Sequence, residues 1–315
     1  MPLDHYVSQV HLRNFYSPVL GEKLYAIRKA DLSRFTPSSE RICAINDGST
    51  NAYLREDRKI EDFLQTVEPN YNHAVQRARD EILDNDAVYT IAGFTSYVLT
   101  CSPAGIRIQS APIKNTVEVT AKMLDAQGGI PPPPAALGGA NLTELLEKGT
   151  VEIKIDKRYP HAIGIDGILD TVARFGNFDW EILRNNFGDN PFFTSDFPVA
   201  LEGSNDPSIF NRIVPLAPDV AVRIVPQRKA EKYNDFSFSD FRYTTKNISL
   251  QEVKRINQLI VRCAESMVFF RDDKGWVERF IDRNRHFRIK TDTQNLDMNG
   301  GTFMHSRLMI AEHKW

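Results

Sequence analysis

The apolar positions change period several times along the chain. Residues 23–28, Lys-Leu-Tyr-Ala-Ile-Arg, alternate as a strand should. Residues 41–45 read as a second short strand, closed by the Asn46-Asp47-Gly48-Ser49 turn. From Ile60 the spacing becomes helical: Ile60, Phe63, Leu64 and Val67 form one stripe, stopped by Pro69, and Tyr71, Ala74, Val75, Ala78 and Ile82 form the next. Residues 88–101 are apolar on nearly every side, the pattern of a helix buried by its neighbours, with Ser102-Pro103 as its end. A weaker helical segment, broken or bent at Pro112, runs to about Ala126, where Gly128-Gly129 stops it.

The second half returns to strands. Four prolines, 131–134, followed by Gly138-Gly139 make the clearest linker, near residues 127–141: stiff first, then released. Asn141 opens a short helix as its cap, with Glu144 three positions later. Strand alternation is expected at 150–155 and from Phe178 through Trp180 to Ile182, with a helix over 162–175 between them. Further strands fall at 191–194, 210–215, 220–225 and 267–270. Ser249 with Glu252 forms a capping box ahead of the strongest helix, whose buried face carries Leu250, Val253, Ile256, Leu259, Ile260 and Cys263. Strands gather at both ends and helices between them. The fold expected is therefore α+β, a mixed or antiparallel sheet from both ends with a central helical region packed against it. Residues 1–285 are read as a single composite domain, and 286–315 as a basic and polar tail.

Composition narrows the class without naming a reaction. A chain of 315 residues with 42% hydrophobic and 25% charged residues is that of a globular protein. The net charge of −2 argues against coating nucleic acid by charge alone, though not against a local basic groove. The longest apolar run is shorter than the roughly 20 residues a membrane helix needs, and no signal peptide is visible, so a cytoplasmic location is expected. Cys43, Cys101 and Cys263 are too scattered for a disulfide framework or a CxxC metal site. There is no glycine-rich phosphate loop, no G-x-S-x-G elbow and no H-E-x-x-H.

Candidate chemistry concentrates in two stretches. Near the start, helical spacing would bring His5, Gln9 and Arg13 to one side, an imidazole, an amide and a guanidinium within reach of one point. In the second stretch, Asn190 to Val199, an apolar run turns at Thr194-Ser195-Asp196 and restarts at Pro198. Proline disfavours helix at Phe197, so Asp196 should sit at the mouth of a turn, as a functional acid or as an Asx turn bonding its own backbone. Two lesser signals accompany them. Glu152-Ile153-Lys154 matches the E-x-K half of a nuclease pattern. Arg279, Arg283, Arg285, Arg288 and Lys290, interleaved with His286 and Phe287, suit a phosphate backbone or a solvated face.

These motifs resemble those of a bacterial family of uncharacterised proteins, domain-of-unknown-function family 4238. Its members begin His-Tyr-Val-Pro-Gln-x-x-Leu-Arg-x-Phe and later carry Thr-Ser-Asp-x-Pro-Val and Pro-Leu-x-Pro. Here the first reads His5-Tyr6-Val7-Ser8-Gln9-Val10-His11-Leu12-Arg13-Asn14-Phe15, with serine replacing the usual proline. The others are Thr194 to Val199 and Pro215 to Pro218. Where members tend to carry Arg-Thr-Pro, this chain has Cys101-Ser102-Pro103. The resemblance spans about residues 5–271 and implies no established activity.

Two functions follow as expectations. In one, the chain is a nuclease-like or toxin-like effector hydrolysing a phosphodiester. His5 acts there as base or metal ligand and Asp196 as metal ligand or orienter, with Ser195 beside it. Gln9 and Arg13 steady the phosphate, and Mg²⁺ or Mn²⁺ assists. In the other, it is a non-enzymatic binding or sensing module. Asp196 then caps a turn, Arg13 pairs with a buried acid, and the basic segment or the proline run meets the partner, a nucleic acid or phosphate-bearing ligand.

Overall fold

A computed structural model describes residues 2–315 apart from 135, 137, 205, 207–208, 228–233 and 299–300, with the backbone alone for 295–298 and 301–303. The chain opens with β1 (Leu3–His5), the short helix α1 (Gln9–Arg13), β2 (Tyr25–Arg28), β3 (Arg34–Phe35) and β4 (Ala44–Asn46). Helices α2 (Lys59–Val67), α3 (Tyr71–Arg79), α4 (Asn85–Cys101) and α5 (Pro103–Ala126) follow. After the proline run come α6 (Leu142–Glu147), α7 (Arg158–Asp166) and α8 (Ile168–Gly176). The second half supplies β5 (Asp179–Arg184), β6 (Thr194–Ser195), β7 (Ala200–Gly203), β8 (Phe210–Ala217), β9 (Val220–Val225) and β10 (Arg242–Asn247). It closes with α9 (Leu250–Cys263), β11 (Met267–Phe270), α10 (Val277–Asn284) and the hairpin β12 (Phe287–Met298) and β13 (Gly301–Glu312).

Two sheets organise these strands. One is mixed, in the order β10-β5-β9-β8-β7, with only the β10–β5 pair parallel. The other is antiparallel, in the order β3-β2-β11-β6, and joins both ends of the chain. The fold is α+β with strands at both ends and helices in the middle, as the periodicities imply. Helix α4 forms the axis of the helical region, packing on α2, α3, α5, α7 and α8. That explains its all-round apolar sequence: nearly every side chain from Ala87 to Cys101 is buried. Its closest approach is at Gly93, where a Cβ would lie 2.7 Å from Val67 Cγ2, so α2 seats directly against the α4 backbone.

Local signals place several element ends. Ser249 accepts the Glu252 N–H (3.2 Å), Asn141 the Glu144 N–H (2.8 Å) and Ser102 the Gly105 N–H (3.0 Å). Several expectations need correction. His5, Gln9 and Arg13 do not share a helix, because β1 pairs with β4 through His5↔Ala44 and the helix starts only at Gln9. The 150–155 stretch alternates but finds no strand partner and stays irregular, so its E-x-K triplet lies on no sheet, and Glu152 pairs with Lys114 at 3.2 Å. The helix expected over 162–175 is two, α7 and α8, meeting at Gly167. Pro112 sits inside an α5 that runs on to Ala126. Residues 286–315, read from sequence as a polar tail, carry the β12–β13 hairpin. Ile289 at its base is buried, and β12 packs on α5 and α9.

Candidate functional site

The Thr194-Ser195-Asp196 corner lies at the end of the antiparallel sheet, with Thr194 and Ser195 opposite Phe269 and Val268 of β11. Helix α9 clamps the preceding chain through Asn257, which accepts from the Phe193 N–H and donates to the Pro191 carbonyl, both at 2.9 Å. All three corner side chains are buried, and each has a distinct task. Ser195 Oγ accepts the Phe197 N–H at 3.1 Å, making the local turn that the sequence assigned to Asp196. Asp196 reaches further. Its carboxylate accepts N–H bonds from Glu265 (2.9 Å), Ser266 (2.8 Å) and Met267 (3.1 Å), pinning the connection from α9 to β11.

Lys29, just past β2, is also fully buried and donates to the carbonyls of Ala264 (2.7 Å) and Phe287 (2.9 Å). Burial pushes Asp196 up to about 7, while the Lys29 charge and the backbone N–H donors oppose the rise. Burial pushes Lys29 down to about 8 against the attraction of Asp196. Each charge makes the other tolerable in the interior. Beside them, burial holds the Tyr6 hydroxyl and the Cys43 thiol well above their ordinary values, so neither is a nucleophile at neutral pH. Glu265 adds an ion-pair knot: Arg107 of α5 binds both its oxygens (3.2 and 2.7 Å), and Arg288 of β12 binds it as well (Nε to Oε2, 2.9 Å).

The two sequence motifs do meet, through a residue that the spacing did not single out. His11, with no exposed surface, has Nε2 2.7 Å from Thr194 Oγ1 and Nδ1 2.7 Å from the Tyr71 hydroxyl. A neutral ring carries one proton, so it donates to one hydroxyl and accepts from the other. Phe94 stacks on it at 4.7 Å between centroids, and burial pushes it down to about 3. His11 lies on the apolar face of α1 with Leu12 and ahead of Phe15. That placement is the only mark the sequence gives it.

The expected site residues part company. The His5 ring, at the end of β1, faces the Glu40 carbonyl (Nε2···O, 3.3 Å), and no hydrogen bond joins it to Asp196. Gln9 and Arg13 are together, Arg13 Nη2 donating to Gln9 Oε1 at 3.1 Å, but Arg13 is exposed and among the described residues pairs with no buried acid. Among the described residues no group of three or more His, Cys, Asp or Glu side chains could hold a metal ion. Asp196 fits a cation poorly, since backbone N–H groups already point at both its oxygens. The basic segment also divides. Arg285 binds the carbonyls of Lys29 and Ala30, Arg288 binds Glu265 and Lys290 binds the Glu312 carbonyl. Arg279 and Arg283 stand exposed on α10.

A second charged cluster was not legible as such. On the mixed sheet Arg223 bridges Glu181 (2.5 Å), Glu202 (2.8 Å) and Glu252 (2.5 Å), and Arg255 and Lys246 complete it. Its acids and bases balance, so it ties α9 to the sheet without leaving a charge to act on a ligand.

Buried polar corner, remote backbone donors and neutral histidine together define an α+β protein whose two sequence motifs are linked in its interior. The chain belongs to the family of proteins of unknown function DUF4238, whose model matches residues 4–274. No curated protein and no solved structure matches it. No helix among the described residues is long and apolar enough to cross a membrane.

Proposed function

We propose that this protein is a non-enzymatic binding module whose two sequence motifs serve as scaffold, rather than a phosphodiester hydrolase working through His5 and Asp196. One observation carries the reading: Asp196 is 2% exposed, and its oxygens accept three backbone N–H bonds. A general base or metal ligand must present a lone pair to substrate or cation, and this carboxylate has spent its own on the fold. Ser195 Oγ serves its turn, Thr194 serves His11, and half-buried Gln9 accepts from Ser39 Oγ and from exposed Arg13 at the other end of α1. Nucleic-acid recognition by the basic segment would rest chiefly on Arg279 and Arg283, since Arg285, Arg288 and Lys290 are already held by partners in the fold, a small footprint.

The test is a cleavage assay on purified protein with DNA and RNA, with and without Mg²⁺ or Mn²⁺, beside His5→Ala. Filter binding to the same nucleic acids is run in parallel. The expected result is no cleavage under any condition and a His5→Ala variant that melts like the parent. Metal-dependent cleavage that a normally folded His5→Ala variant loses would replace this reading with the hydrolase.

A further inference from the structure

We infer that the groove between α2 and the α7–α8 junction is a docking site for a basic amphipathic segment of a partner protein, a proposal that rests on the binding-module reading. The groove encloses about 340 Å³. Its apolar lining comes from Ile60 and Phe63 of α2, Ile165, Ile168 and Leu169 at the junction, and Tyr89 of α4. Most of that lining is well packed, yet Leu169 remains 44% exposed, leaving apolar surface in solvent at the lip.

The rim selects the occupant by charge. Glu56, Asp62 and Asp166 stand on it against one ammonium, Lys59, whose Nζ is already 3.2 Å from Asp166 Oδ1. The polar cleft next to it shares Thr66 and Tyr89 with the groove and is lined further by Asn70, His73 and Asp86. An acidic partner would meet like charges there, and an uncharged apolar one would leave the rim unanswered. A segment with apolar residues on one side and Lys or Arg flanking them answers both features.

The test uses the full chain and three synthetic peptides of roughly five helical turns. One has leucines on one face and lysines elsewhere, the second has glutamate at every lysine, and the third scrambles the first so that its apolar face is lost. Binding is followed by fluorescence anisotropy at low and at physiological salt. The proposal expects the basic amphipathic peptide to bind at least tenfold more tightly than either control and to weaken with salt. It also expects Glu56→Lys/Asp62→Lys and Leu169→Lys each to weaken it at least tenfold, with melting temperatures unchanged. Equal binding of the acidic peptide, or unchanged affinity in both variants, would overturn it. So would a concentration-dependent dimer that Leu169→Lys abolishes, since a second copy would then be the occupant. Failure of the peptides while the cleavage assay stays blank rejects this groove alone. Nucleic-acid cleavage rejects the module itself.

Discussion

At the scale of single residues, Asp196 illustrates how burial decides the meaning of an acid. The same side chain, solvent-facing at a turn, would be a candidate base; 2% exposed and bonded to three amides, it is a fastener between two segments about 70 positions apart in the chain. Asp196→Asn changes little in volume but sets an NH₂ against backbone N–H groups and leaves Lys29 without its counter-charge. The expected cost is about 3 kcal/mol, read as a lower denaturation midpoint with unchanged m-value. A variant as stable as the parent would mean the carboxylate is not fastening the α9–β11 connection. His11 is the complementary case. The aromatic surroundings that make it look like a core residue also hold it neutral, and its two hydroxyl partners come from elements 60 and 183 positions away.

At the scale of elements, ends were legible wherever the signal is local. Capping residues at Asn141 and Ser249 act over three residues, a distance the sequence displays directly. Strands were legible only where a partner existed. Residues 220–225 alternate and pair on both sides, whereas 150–155 alternate equally well and join no strand among the described residues. A strand's stability lies in its neighbour's hydrogen bonds, and no property of the stretch itself reports them. The hairpin β12–β13 shows the same dependence from the other side, since its base is tied down by the Glu265 knot and by Thr291 donating to the Ile108 carbonyl (3.2 Å). Glu265→Gln removes a charge shared by Arg107 and Arg288, and a loss of about 3 kcal/mol is expected. Amide exchange in β12 next to Ile289 should accelerate with it. Acceleration spread evenly over the protein would instead mark global destabilisation without a local role.

At the scale of the molecule, the buried titratable groups set the acid limit of stability. Burial pushes His11 down to about 3 and His161, 4% exposed, down to about 4. Both regain an ordinary value near 6.5 on unfolding, so between about pH 6.5 and 4 the unfolded chain binds two protons that the folded chain refuses. Stability therefore falls as pH drops through that window. Asp196, raised to about 7, works in the opposite sense and offsets one of the two, since its folded form keeps a proton that the unfolded form releases. The two histidines outweigh the one acid, so these three groups together make stability fall as the pH drops through that window. In His11→Gln that slope should be shallower than in the parent, as followed by urea denaturation at a series of pH values. A variant that keeps the parental slope would show that His11 is not held neutral.

Short-range physics, written into neighbouring residues, was readable along the chain. Apolar spacing set the helical centre and the strand-bearing ends, and capping residues set several helix starts. The length of its apolar runs matches the finding that no helix among the described residues is long and apolar enough to cross a membrane. Only the tertiary structure decided that His11 rather than His5 joins the motifs, that Ser195 rather than Asp196 makes the local turn, and that three of five basic residues in the 279–290 stretch are spent on carbonyls and Glu265. The physical reason is that a polar side chain's role depends on what desolvates it and which donors it meets. For these residues the decisive partners lie up to 256 positions away along the chain.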